Sequence, residues 1–174
     1  MKKLIALILV VAMAASLVAC GSKAADKAPL EGTMEENALK VMEIAPVEFM
    51  GGIIPVDLTD TSEDGKWAVN YFTGLSDASK ITDVAVYESM MGSQAFSLVM
   101  VRTAEGADPK AVAEEMKSGI DPRKWICVGA DEIMAAGYGD TVMFIMLDSQ
   151  LGLKAQSYVD AFAQVAGGEL DFTI

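Results

Sequence analysis

The sequence contains no histidine, and it has only two cysteines among 174 residues. Histidine is the usual general base, the commonest metal ligand and the usual partner of a catalytic serine. Its absence excludes most simple hydrolase mechanisms, so we predict a protein that is not an enzyme and binds no cofactor. Cys20 and Cys127 also cannot build the paired disulfide framework that small exported proteins often use.

Basic residues are scarce. Lys and Arg together number 13 against 25 Asp and Glu, which gives a net charge of −12. Nucleic-acid binding needs a positive face, so no nucleic-acid partner is predicted. The acidity also argues against docking of the domain itself on anionic lipid headgroups.

The N-terminal apolar run is too short to cross a bilayer, which takes roughly 20 apolar residues. Lys2 and Lys3 precede the uncharged stretch 4–15, and Leu17-Val18-Ala19-Cys20-Gly21 follows. This order is typical of a signal peptide, and its last part resembles a bacterial lipobox. The resemblance implies that Cys20 receives a diacylglycerol through a thioether and that the signal peptide, residues 1–19, is cut off before it. The alternative is an ordinary secretory signal that releases a soluble protein.

The mature chain would then be anchored by lipid outside the cytoplasm. Two acyl chains bury enough methylene groups for stable anchoring, at about 0.8 kcal/mol each. Without Lys2 and Lys3, this mature chain has 11 basic and 25 acidic side chains. Residues 20–32 are small and polar and predict a flexible tether, and residues 33–174 are sufficient for one domain. The predicted location is the outer face of the cytoplasmic membrane, or a periplasmic membrane face.

Capping and turn signals predict an α+β fold. It has an antiparallel sheet of about four strands from two ββα units, with two preceding helices. The predicted helices are 34–44, 64–73, 109–118 and 151–166, and the predicted strands are 81–90, 95–102, 128–136 and 140–148.

Two of these strands, 95–102 and 140–148, are apolar on both faces and should lie at the sheet centre. Either helices cover both faces, or one apolar face meets a protein partner or a second copy of the chain. The first two helices are the expected cover for the second face. Cys127 lies in the apolar sequence Trp125-Ile126-Cys127-Val128 and is predicted to be a buried small hydrophobe.

The order of elements over residues 34–166 resembles domain of unknown function 4358, a group of uncharacterised exported lipoproteins. The features that carry the resemblance are the helix end Tyr71-Phe72-Thr73-Gly74-Leu75, the first hairpin with Val84-Ala85-Val86-Tyr87, and the turn at Tyr138-Gly139. Many such domains have a longer polar helix where this chain has residues 108–119. The resemblance implies a place outside the cell membrane, and it carries over no activity and no site residues.

Half of a calcium-binding loop is present. Asp60, Ser62 and Asp64 alternate ahead of Gly65, but the position that needs a bidentate carboxylate is Tyr71. The other interpretation is an acidic loop that caps the next helix. The adjacent carboxylates 114–115 and 131–132 are expected on solvated faces, because neighbouring residues point apart.

These features favour a membrane-anchored lipoprotein with a non-catalytic binding or accessory domain. The first alternative is a solute-binding component that serves a transporter, and the second is a carboxylate-based surface enzyme. The sequence names no ligand-binding residues.

Overall fold

A computed structural model describes residues 27–174, so the predicted signal peptide and Cys20 lie outside the described residues. The elements in chain order are α1 (Met34–Ile44), β1 (Gly51–Ile54), α2 (Glu63–Thr73), β2 (Ile81–Ser89), β3 (Phe96–Thr103), α3 (Pro109–Gly119), β4 (Glu132–Tyr138), β5 (Thr141–Leu147), α4 (Ala155–Ala166) and β6 (Phe172–Thr173). Short 3₁₀ turns occupy Ala78–Lys80 and Ser149–Leu151.

The six strands form one antiparallel sheet in the order β1-β2-β3-β5-β4-β6. The α+β class and the two ββα units are therefore confirmed, whereas the predicted count of about four strands was too low. The extra strands are both at the edges. β1 has four residues and begins with two glycines, and β6 has two residues, so neither carries a readable alternation of apolar and polar side chains.

Helices cover both faces of the sheet. On one face, α1 and α4 pack over an apolar cluster that includes Leu98 and Ile145. On the other, α2 and α3 pack over a second cluster that includes Val99 and Phe144. The central position of β3 and β5 is confirmed, since most of their side chains are buried. The expectation that the first two helices share a face is wrong, because each pairs instead with one of the later helices.

Local signals fixed the helix ends. Thr33 accepts a hydrogen bond from the Glu36 amide, and the Glu36 carboxylate accepts one from the Thr33 amide, both at 3.1 Å. This capping box starts α1 as predicted. At the end of α2, Gly74 adopts φ +77°, a left-handed conformation that glycine takes without a Cβ clash.

Two expectations about the later segments were wrong. Residues 128–131 are not part of β4, which begins at Glu132. Cys127 is exposed rather than buried, and it has φ +65° in an irregular loop. Apolar neighbours in sequence do not imply burial here, because the loop lies over the end of the sheet instead of within it.

Candidate functional site

The first described residues, 27–32, are bound to one end of the domain, and we call them the N-terminal strap. The guanidinium of Arg102 donates hydrogen bonds to the carbonyl oxygens of Leu30, at 2.7 Å, and Gly32, at 2.8 Å. Lys27 forms an ion pair with Asp171 at 2.7 Å, and Leu30 is buried in the core. The last six residues of the predicted tether thus contact the domain, and the flexibility of the segment stays a prediction.

The strap marks one end of the sheet. Arg102 and Thr141 are paired there, next to the β4–β5 turn at Gly139. A groove of about 460 Å³ lies beside this end. Its two cationic side chains are already paired, Arg102 with Asp140 at 3.0 Å and Lys27 with Asp171.

At the opposite end of the sheet, three uncharged segments form one surface, which we call the apolar tip. They are residues 49–54, 89–95 and 125–130. The amide of Met90 donates to the carbonyl of Met50 at 2.9 Å, and the amide of Ile126 donates to that of Gly92 at 3.0 Å. These bonds join the segments into one backbone framework.

The apolar side chains of the tip are strongly exposed. Met50 is 71% exposed, Met90 62%, Met91 52% and Ile126 74%. Single exposed apolar residues are ordinary on protein surfaces, but a contiguous group marks a contact surface. Methionine is also flexible and polarizable, which suits a surface that adapts to the shape of a partner.

A buried ion pair lies beneath the tip. The ammonium of Lys124 is 2.5 Å from Oε1 of Glu88, and the two side chains are 1% and 10% exposed. At this distance the ammonium compensates the charge of the carboxylate directly. Three aromatic rings surround the ammonium, with centroids at 4.9, 5.1 and 5.4 Å for Tyr71, Phe72 and Trp125.

Burial lowers the pKa of Lys124, although Glu88 and Asp121 oppose that shift. Burial also raises the pKa of Tyr71, and the negative charges of Glu88 and Asp121 add to the increase. Tyr71 and Lys124 are further linked by two hydrogen bonds. The Tyr71 hydroxyl donates to the Lys124 carbonyl at 3.3 Å, and the Lys124 ammonium donates to the Tyr71 carbonyl at 3.4 Å. The cluster therefore fixes the tip loop to α2 and β2. The two charged side chains are almost closed to solvent, which limits access for a substrate.

The calcium candidates lie in and beside the loop before α2, where Asp60 holds a turn and Ser62 caps the helix. Oδ1 of Asp60 accepts from the Ser62 amide at 2.9 Å, and Oγ of Ser62 accepts from the Gly65 amide at 3.2 Å. Asp64 lies in the first turn of α2, where a negative charge favours the helix. Within residues 27–174, no three His, Cys, Asp or Glu side chains are grouped as a metal site.

The adjacent carboxylates 131 and 132 hold different backbone segments. Asp131 accepts from the amide and hydroxyl of Ser149 at 2.7 and 2.6 Å. Glu132 accepts from the Ala155 amide at the start of α4 at 2.8 Å. The hydrogen bonds from Ser149 lower the pKa of the Asp131 carboxyl group, and the hydrogen bond from the Ala155 amide lowers that of Glu132. A general acid needs the opposite shift, so this pair is suited to a structural role.

Sequence reasoning missed both the tip and the ion pair beneath it. One available signal was the absence of charge from residues 49–56 and 89–101 in a chain with 22% charged residues. The predicted lipidation residue, Cys20, lies outside the described residues and stays a prediction.

Comparison with known proteins gives no relative. No protein-family model matches the chain, and neither does any curated protein or solved structure. Within residues 27–174, none of the helices has the length and apolar character needed to cross a membrane.

Proposed function

We propose that this chain is a membrane-anchored extracytoplasmic lipoprotein whose α+β domain acts as a non-catalytic binding or accessory module. One observation carries the binding role: the strap holds the incoming chain at one end of the domain, and an exposed uncharged surface occupies the other. A module that is anchored at one end and offers a contact surface at the other is suited to connecting a membrane with a partner.

The anchoring itself rests on the lipobox-like sequence ending at Cys20. Mass spectrometry of the native N-terminal peptide tests it. We expect a peptide that begins at Cys20 and carries the mass of a diacylglycerol. Cys20→Ala should abolish this modification and membrane retention, whereas Cys127→Ala, the matched control, should retain both. An unmodified thiol at position 20 in the native protein would overturn the proposal.

The non-catalytic role rests on the closed ion pair and on the capping roles of the carboxylates. Neither arrangement offers an accessible acid and base at one cleft. Turnover of peptidoglycan, peptides or glycans by the purified full-length protein would contradict this part, provided that a variant altered in the responsible residue lost it.

A solute-binding component is the second candidate, and the groove beside Arg102 favours it. The groove volume of about 460 Å³ falls within the range of ligand pockets, roughly 300–1,000 Å³. However, its two cationic groups are already paired with carboxylates, which weakens the case for an ionic solute. Thermal-shift measurements with amino acids, sugars and short peptides distinguish the two roles, because only the solute-binding role predicts a rise in melting temperature.

A further inference from the structure

The methionines of the domain divide into two groups by exposure. Ten of them lie within residues 27–174. Six are buried, with at most 8% of the residue exposed, and these are Met34, Met42, Met100, Met116, Met143 and Met146. Met134 is half-buried against the cluster beneath α1 and α4. The remaining three are exposed, and all three belong to the apolar tip.

Solvent reaches most of each side chain in this exposed group. Met50 is 71% exposed, Met90 62% and Met91 52%. Cys127, the free cysteine among residues 27–174, is also exposed and lies in the tip segment 125–130. Within the described part of the chain, every exposed sulfur-containing side chain is therefore at one end of the sheet.

A thioether that solvent reaches is open to oxidation by a peroxide. The sulfur lone pair forms an S–O bond to one oxygen of hydrogen peroxide while the O–O bond breaks, and the other oxygen leaves as water. The sulfur loses two electrons and the peroxide gains them, so the products are one sulfoxide and one water. The protein supplies no catalytic group for this step. A buried thioether reacts only when the core opens.

The fold tolerates oxidation at the tip much better than oxidation in the core. A sulfoxide is polar, so at Met143, which is fully buried in β5, it would disrupt the packing of the sheet. The hydrogen bond of 2.9 Å between Met90 and Met50 joins main-chain atoms and involves neither sulfur. The tip can thus change from apolar to polar while its backbone framework is kept.

We propose that the apolar tip is a site of methionine sulfoxide formation by hydrogen peroxide, at Met50, Met90 and Met91, that makes this surface polar while the domain stays folded. The proposal goes beyond the anchoring and binding roles and depends on neither. It follows that peroxide weakens any apolar contact that the tip makes.

Peroxide treatment of the purified full-length protein, followed by peptide mass spectrometry, tests the proposal. The protein carries Cys127→Ser, so that the thiol consumes no peroxide. We expect one added oxygen atom at each of the three tip methionines. Met143 should react at least about tenfold more slowly, because the core must open first. In urea the two groups should react at similar rates, and the urea midpoint of the protein oxidised only at the tip should be unchanged.

Substitution by leucine separates the tip from the other methionines. Leucine is close to methionine in volume and has no sulfur, so the exchange removes the reaction with little effect on packing. The triple variant Met50→Leu/Met90→Leu/Met91→Leu should lose the rapid phase of peroxide consumption. Met134→Leu is the matched control and should keep it.

Three outcomes in the purified protein would overturn the proposal. They are equal rates for Met90 and Met143 in the folded state, a lower urea midpoint after oxidation of the tip, and a rapid phase that persists in the triple variant. In cells of its source treated with hydrogen peroxide, the tip peptides should carry the sulfoxide. Reduced tip methionines in that sample would show that the tip is covered in the cell, and the site would be lost.

Discussion

Glu88 and Ser97 face each other across β2 and β3, and the buried hydroxyl oxygen of Ser97 has no hydrogen bond in the described part of the chain. Directly opposed residues in an antiparallel pair have Cβ atoms about 5 Å apart, so the buried carboxylate lies beside a hydroxyl that offers it no hydrogen bond. Glu88 therefore depends on Lys124 for compensation of its charge. Loss of either partner would leave the other charge buried without compensation.

Removal of one member of this pair should be far more damaging than removal of both. Lys124→Met leaves a buried, uncompensated carboxylate, and we expect a loss of about 3 kcal/mol in the free energy of unfolding. The double variant Lys124→Met/Glu88→Leu should recover most of this loss, because apolar replacements end the desolvation penalty of both charges. Urea unfolding of the wild type and both variants measures these energies. Equal stability of the single and double variants would show that the pair is not coupled.

The lowered pKa of Lys124 predicts a specific pH dependence. Since burial disfavours the charged lysine in the folded state, the unfolded chain binds the proton more tightly. The stability difference between the wild type and Lys124→Met/Glu88→Leu should therefore shift in favour of the wild type as pH rises toward the ordinary lysine value of 10.5.

Urea unfolding of both proteins between about pH 7 and pH 9 checks this, because tyrosine ionisation does not yet interfere. At higher pH, Tyr158 lowers the stability of both proteins. Burial raises its pKa to about 12, so its contribution to stability is lost as pH rises beyond the unfolded value of 10. A stability difference that falls with pH over the lower range would contradict the burial of Lys124.

The contrast between what was predicted and what was not has a physical basis. Helix caps such as Thr33 and turn glycines such as Gly74 act within a few residues, so the sequence alone locates them. The pairing of Glu88 with Lys124 joins a strand to a loop 36 positions later, and no local pattern encodes it. Likewise, the burial predicted for Cys127 from its neighbours fails because exposure depends on where the loop lies over the sheet.

Two glycines allow α2 and α3 to approach closely. A Cβ on Gly119 would lie 2.0 Å from the carbonyl oxygen of Gly74, a contact that only backbone movement relieves. We expect Gly119→Ala to destabilise the domain by about 3 kcal/mol through overpacking. Gly168→Ala is the matched control, since its nearest atom outside its chain neighbours is 3.8 Å away, in Tyr138. Similar urea midpoints for the two variants would contradict the close approach.

Arg102 should determine whether the strap stays bound. Arg102→Met removes the hydrogen bonds to Leu30 and Gly32, and we expect a loss of about 2 kcal/mol for a charge-assisted pair of this kind. Amide hydrogen exchange should accelerate selectively at residues 27–32. Arg123→Met, at an exposed position, is the control and should change neither quantity beyond about 0.5 kcal/mol. Unchanged exchange of the strap in Arg102→Met would show that other contacts hold it.

Cys127 offers a test of the tip loop that separates backbone strain from the chemistry of the thiol. A side chain in the left-handed region costs roughly 1–2 kcal/mol, while glycine accepts that conformation. We therefore expect Cys127→Gly to increase the free energy of unfolding by up to about 1 kcal/mol, after allowance for the greater freedom of glycine in the unfolded chain. Cys127→Ser keeps the strain and should leave stability within about 0.5 kcal/mol, because the side chain is exposed. A destabilised glycine variant, measured by urea unfolding at unchanged m value, would mean that the thiol makes contacts that its exposure does not suggest.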